Sequence, residues 1–308
     1  MINKNFLIPF LFTPIIFVIS ACGGSDDSAD QAKFSLGISD APVDDAVSVF
    51  IEIDEITIAG PETTIISEFT NEHNEIVDTI QINLLAYQGT DQLKIIDEAQ
   101  DVTMVPGTYS MELLVVDAGS YVLLDNDATE YSIKVPSSRL RLGDFEVAAT
   151  SIQVGNTPAY TIEFSLRESL VMRGNTPPKN GFIIKPHGVH IVSEYGTLEG
   201  EISPGNTNLG DCIVYLYEGE PTILGDSYND ENTAPLGEPP ATAPLISTVV
   251  LDGAYSIGFV PEGSYTVALM CGTDIDNNIQ YDALTIPSPD GNVATVDIVK
   301  GDVKTVDF

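Results

Sequence analysis

The stretch that decides the fold is VSVFIEIDEITI, Val47 to Ile58. Val47, Val49, Ile51 and Ile53 alternate with Ser48, Phe50, Glu52 and Asp54. A period of two sends successive side chains to opposite faces, so the stretch predicts a β-strand with one buried face. Ile56 and Ile58 continue the apolar series in the opposite phase. The slip at Asp54-Glu55 predicts a β-bulge inside one long strand.

The same rhythm runs outward from this segment. Strands are predicted at Thr108–Val116, at Tyr131–Val135 and at Tyr160–Leu166, where Ile162, Phe164 and Leu166 share a face. The segment from Gly181 to Val192 predicts a strand broken at Pro186. Only Leu84–Gln88 and Ile95–Gln100 have short helical character. After Glu194 the rhythm resets. Strands are predicted at Gly196–Ser203, Asp211–Glu218, Ile246–Leu251, Ala254–Val260, Ser264–Cys271, Ile279–Ile286, Val293–Val299 and Val303–Phe308. Asp252-Gly253, Pro261-Glu262-Gly263 and Pro289-Asp290-Gly291-Asn292 supply turns between them. Gly219–Pro244 holds five prolines and predicts a long exposed loop. VPGTYS at Val105–Ser110 and VPEGSYT at Val260–Thr266 share one local device, a Gly-containing turn feeding a strand that begins near a Tyr.

The amino-terminal residues speak to location. Lys4 precedes an apolar run from Phe6 to Ile19, too short to span a bilayer comfortably and about right for a signal-peptide core. Ile19-Ser20-Ala21-Cys22 follows and resembles a bacterial lipobox. That resemblance implies acylation of Cys22, cleavage before it, and anchoring to the membrane through the N-terminal lipid. Each buried methylene contributes about 0.8 kcal/mol, so several acyl chains hold a soluble domain firmly. An ordinary secretory signal with an incidental Cys is the alternative. Gly23 stands where an Asp would imply inner-membrane retention, so the resemblance implies the outer membrane, on its periplasmic or cell-surface face.

The expectation is an all-β chain of two β-sandwich domains in tandem behind a lipoprotein signal peptide. Its boundaries are a signal at 1–21, an acidic flexible tether at 22–32, one sandwich at 33–193 and a second at 194–308.

Composition narrows the partners. Twelve basic and 46 acidic residues give a formal charge of -34, which repels nucleic acid and anionic membrane surfaces. It suits cations or simple solubility in salt. There is no Trp, so a sugar-stacking platform would fall to Tyr. Beyond Cys22 the cysteines are Cys212 and Cys271. In an exported protein an even remainder points to a disulfide. Strand parity agrees: Cys212 shares a face with Val214 and Leu216, and Cys271 with Val267 and Leu269. The other face of the first strand is also apolar, through Ile213, Tyr215 and Tyr217, and two buried free thiols are the alternative.

Few residues offer chemistry. His187 and His190 lie three apart in a predicted strand, which sends them to opposite faces, and a surface role is expected. There is no His-Glu-x-x-His string, no Gly-x-Ser-x-Gly elbow and no Gly-Lys phosphate loop. Catalysis is therefore not expected, and no cofactor is. One local cluster has ligand-like spacing: Asp274, Asp276 and Asn278 at alternate positions, then Asp282. Hard oxygen donors suit calcium, but Ile279 and Thr285 stand where a calcium loop wants Gly and Glu. A solvated hairpin loop is the alternative.

SLGISDAPVDDAVSVFIEIDEITI, VPGTYSMELLV, YSIKVPSS, YTIEFSLRESLV and FIIKPHGVHIV, in this order, resemble the bacterial domain-of-unknown-function family 4382 over Phe34 to Val192. Ser39-Asp40-Ala41-Pro42 and Lys185-Pro186 are its best markers, and the family pattern has a basic residue where this chain has His190. The resemblance implies a lipoprotein and no assigned activity. GTLEGEI, CIVYLYEG and GAYSIGFVPEGSYTVAL resemble carboxypeptidase-regulatory-like domains of transthyretin-like fold, which implies an accessory sandwich. Two functions follow: a non-catalytic binding or adhesion lipoprotein of the cell envelope, with an envelope or extracellular ligand, or an accessory lipoprotein that captures glycans.

Overall fold

The computed structural model describes residues 32–41, 46–97, 100–125, 127–147, 160–173, 180–226, 241–273 and 284–308. The chain is all-β. Its central strand is Ala46–Ala59, and Val49, Ile51, Ile53, Ile56 and Ile58 are buried along it. Val47, the first of the alternating series, is exposed. Against the strand Gly107–Val115 the register passes from Leu114 opposite Glu55 to Val115 opposite Ile53. Asp54 is left over, which is the bulge that the phase slip predicts. The length of the strand lets it pair with two partners on each edge. Gly107–Val115 and Tyr121–Leu124 line one edge, and Thr63–Ile66 and Ile80–Asn83 the other.

A second sheet faces this one. Its order is Val189–Val192, Tyr160–Ser165, Leu36–Ala41, Leu93–Ile96, with the middle pair parallel. Ile38, Ile162 and Phe164 point from it into one core shared with Ile51 and Leu113. Phe34, Phe145 and Tyr160 pack ring to ring in that core, with centroids 5.1 to 6.3 Å apart. Apolar burial at this scale is the main favourable term for such a domain. One reading needs correction: Ile95 and Ile96, read as the start of the helical segment Ile95–Gln100, instead close the strand Leu93–Ile96, whose backbone completes the edge of Leu36–Ala41. The break expected at Pro186 is present: the Gly181–Val192 segment is two strands, Phe182–Ile184 and Val189–Val192, in different sheets, with a 3₁₀ turn at Pro186–Gly188 between them.

Residues from Tyr195 onward build two further sheets. One holds Ala254–Pro261, Tyr195–Glu201 and Val303–Thr305. The other holds Ile246–Val249, Asp211–Glu218, Gly263–Gly272 and Val293–Ile298. Leu198, Val214, Leu216, Val267 and Leu269 fill the space between them. The opposite face of the four-stranded sheet carries a separate cluster of Ile213, Tyr215, Tyr217, Met270 and Ile286. The strand Asp211–Glu218 is therefore apolar on both faces because both are covered.

The repeated turn device has one physical basis. The Tyr109 hydroxyl donates to the Val105 carbonyl, and the Tyr265 hydroxyl to that of Pro261, each four residues upstream, at 2.9 and 2.8 Å. A buried phenol needs an acceptor, and here it ties the turn to the strand that follows. Burial and the charge of Glu218 push the Tyr265 hydroxyl up to about 12.

Candidate functional site

Among the described residues, an open groove and a packed seam each combine polar groups with a recess. The first is an open groove of about 250 Å³ beside the central strand, floored by Phe50, Ile82 and Leu93 and flanked by Tyr87. Its polar groups are held by the fold. The Asn71 amide oxygen accepts the N–H groups of His73 and Glu75, both at 2.9 Å. The Gln81 amide donates to the Gly119 carbonyl at 2.8 Å, and the Asn83 amide oxygen accepts the Val49 N–H at 3.2 Å. Phe50 stacks on Tyr121 with centroids 4.8 Å apart. Burial and the charge of Glu72 raise the Tyr87 hydroxyl. Such a surface is ordered before a ligand arrives.

The second place is the seam between the two halves. Among the described residues, no strand of 32–192 pairs with one of 195–305. The halves meet through side chains and loops instead. The strand Tyr160–Ser165 turns Tyr160, Ile162 and Phe164 toward its own core, so Thr161, Glu163 and Ser165 face the other way. In an isolated sheet that face would be wet. Here all three are buried, because the edge strands Ile246–Val249 and Ala254–Pro261 lie against this sheet. The approach is close: a Cβ on Gly258 would stand 2.0 Å from the Gly89 carbonyl oxygen. The Thr161 hydroxyl donates to the Gln92 amide oxygen at 3.2 Å, burial raises the neighbouring Tyr195 hydroxyl, and the Tyr195 ring lies 4.8 Å from that of Phe259. Phe259 takes a left-handed backbone conformation with φ of 51°, an unusual one for a bulky residue. The loop Tyr87–Gly89 ties the groove to the seam. The Tyr87 carbonyl accepts the Asp40 N–H at 2.8 Å and the Ser39 hydroxyl at 3.2 Å.

The seam holds buried acids. Asp40, Glu163 and Glu168 are 0%, 3% and 8% exposed. Glu163 pairs in register with His190 on one side and Ser39 on the other. Burial pushes the Glu163 carboxyl well up, against a smaller downward pull from the neighbouring Ser39 hydroxyl. Burial, then the charge of Glu218, does the same to Glu168. Burial and His187 hold the His190 imidazole down, while Glu218 works the other way. The surface role expected for His190 is thus corrected. It lies on the covered face of the sheet, and its Nε2 is buried without a hydrogen-bond partner. His187 sits outside the strand, in the exposed 3₁₀ turn begun by Pro186. Strand parity does not connect the two rings.

Cys212 and Cys271 are bonded to each other. They stand directly opposite in antiparallel register, with Cα atoms 4.1 Å apart, and both are buried in the core of Val214, Leu216, Val267 and Leu269. Parity places the thiols correctly. Cys22, Asp274, Asp276, Asn278 and Asp282 lie outside the described residues. The seam is what sequence reasoning misses. Its signal is faint: hydroxyl and glycine positions at Ser247, Thr248, Ser256 and Gly258, in strands that otherwise read as apolar.

Residues 31–186 match the family model described as Domain of unknown function (DUF4382). No curated protein matches the chain. Solved structures similar to it include the Bacillus anthracis TIE protein, at 14% identity over 90% of this chain and 34% of that one, with a TM-score of 0.20. GBS52, the minor pilin of Streptococcus agalactiae, is similar at 12% identity over 89% and 94%, with a TM-score of 0.20. The pilus backbone RrgB of Streptococcus pneumoniae is similar at 9% identity over 92% and 64%, with a TM-score of 0.21. The chain spans about a third of the length of the TIE protein. At these scores the likenesses carry no argument.

Proposed function

Since the chain belongs to the DUF4382 family of domains of unknown function, we propose that it is a non-catalytic binding module of the cell envelope, anchored through lipid on Cys22. The observation that carries this reading is the groove. Its aromatic and aliphatic floor lies between amides already fixed by backbone hydrogen bonds. Binding to a preformed surface loses little to ordering. The second half, whose sequence resembles an accessory sandwich, serves as a rigid companion across the seam. The orientation is toward the periplasm or the cell surface.

Glycan capture is the second reading, and the pair Phe50 and Tyr87 favours it. Aromatic faces with amides beside them suit the apolar and hydroxyl sides of a sugar ring. Probing the lipid-free protein on an array of glycans and envelope proteins tests both readings. Retention of a glycan that Tyr87→Ala weakens at least tenfold supports capture. Retention of a protein that the same change weakens supports adhesion. Binding of either kind that Tyr87→Ala leaves intact removes the groove from the account.

The anchor has its own test. Cys22→Ala is expected to abolish labelling by a fatty-acid analogue and to leave an uncut precursor or a soluble product. Equal labelling of both proteins would refute lipidation at this residue.

A further inference from the structure

We propose that the seam between the two halves is a proton-gated latch, closed while Glu163 carries a proton and released when that proton is lost. Glu163 is 3% exposed, and its Oε2 has no hydrogen-bond partner. It borders a cavity of about 10 Å³, room for about one water, whose other walls include Ile246, Ile257 and Thr248. One water suits a neutral carboxyl and cannot solvate a charge. The Ser39 hydroxyl, opposite Glu163 in register, donates its proton to the Asp91 carbonyl at 2.9 Å. Other polar atoms in and beside the seam share the condition of Glu163. Ser165 Oγ, Glu168 Oε1, His190 Nε2 and Ser247 Oγ are all buried without a hydrogen-bond partner. A permanent interface satisfies such groups, whereas these regain water when the halves part.

No cation borders this cavity to balance an ionised Glu163. From the later half, Ile246–Val249 holds no ionisable side chain, and Ala254–Pro261 holds only Tyr255, which donates to the Val306 carbonyl at 2.7 Å in its own core. From the earlier half, Asp40 borders the same cavity and is itself an acid. His190 stands beside Glu163 across the strand pair, and burial, then His187, holds its imidazole down against the pull of Glu218. Glu168, Glu218, Tyr87, Asp91 and Tyr195 lie further along the seam and add no positive charge. Lys300 acts on Tyr195 from beyond it and is bonded to Glu194 at 3.0 Å. Closing the seam therefore raises the proton affinity of Glu163, as its burial shows. The sign follows: the closed form binds this proton more tightly than the open one, so its stability is lost as pH rises through the closed-state value. The loop Tyr87–Gly89 belongs to both places, so release also loosens one wall of the groove. That consequence rests on the groove being the binding surface proposed above, whereas the latch itself does not.

The test is amide exchange of the lipid-free chain, without any ligand, followed from about pH 6 to about pH 9. Protection in Ile246–Val249 and Ala254–Pro261, corrected for the intrinsic exchange rate, is expected to fall about tenfold per pH unit once Glu163 ionises. The central strand Ala46–Ala59 is expected to keep its protection. Glu163→Gln has no proton to lose there, and its protection is expected to stay level over the same range. His190 is present in both proteins, so their difference isolates Glu163. If Glu163→Gln fails to fold, carbon-13 NMR of the Glu163 carboxyl in the unaltered protein takes its place, and its titration is expected to coincide with the loss of protection. Level protection in the unaltered protein overturns the proposal. So does an equal fall in Glu163→Gln, an equal fall in Ala46–Ala59, or titration of Glu163 in the ordinary carboxylate range.

Discussion

Gly258→Ala destabilises the protein by about 3 kcal/mol and loosens the join between its halves. The added Cβ meets the Gly89 carbonyl oxygen at 2.0 Å and the carbonyl carbon at 2.7 Å. Both are backbone atoms, so no rotamer change relieves the contact. The Tyr87–Gly89 loop cannot easily retreat, because the Tyr87 carbonyl holds the Asp40 N–H and the Ser39 hydroxyl. Gly89 itself has φ of 65°, a conformation that suits glycine. The least costly response is for the strand Ala254–Pro261 to move away, which wets Thr161 and Glu163. A lower denaturant midpoint, with faster amide exchange in Ile246–Val249 and Ala254–Pro261, checks the prediction. Gly205→Ala is the control: its Cβ has only the Ser203 hydroxyl nearby, at 3.8 Å, and a change within about 0.5 kcal/mol is expected. Equal midpoints for the two variants would show that the halves are not packed as described.

Removing the disulfide is the second large effect. Cys212→Ala combined with Cys271→Ala is expected to cost about 2–4 kcal/mol, because the bridge closes a long loop in the unfolded chain. The two residues are 59 apart in sequence. Alanine is the right replacement, since serine would put hydroxyls among Val214, Leu216, Val267 and Leu269. The loss falls on the part of the chain from Tyr195 onward. The described part of the earlier half contains no cysteine. Denaturant titration should therefore show an early transition in the later half, followed by one near the original midpoint. A single unshifted transition would contradict this account of the bridge.

Much of this architecture is legible from side-chain parity. Val49, Ile51 and Ile53 against Ile56 and Ile58 give both the central strand and its bulge at Asp54. The faces of Cys212 and Cys271 give their shared core. Parity reports which face of a strand is apolar, and says nothing about what covers a polar one. Thr161, Glu163 and Ser165 read as a wet face and are buried. His190 opposite Glu163 is lost from view for the same reason. The helical reading of Ile95 and Ile96 fails differently, since a strand as short as Leu93–Ile96 carries too few residues to be told from a helical turn. The groove is illegible because it gathers Phe50, Asn71, Tyr87 and Leu93 from separate elements. Each of these residues is unremarkable in its own neighbourhood.

The way the seam covers Ile246–Val249 and Ala254–Pro261 makes the two halves unequal partners during synthesis. Both strands lie at sheet edges, with backbone groups that could pair with a neighbouring chain. The earlier half, emerging first, presents water with hydroxyls and carboxyls at the same place and can wait in the open. The later half cannot wait so safely. It finds its cover already folded and tethered a few residues upstream, at a local concentration no stray chain can match. The order of the halves along the chain thus acts as a guard against misassembly, by setting which surface is bare and for how long.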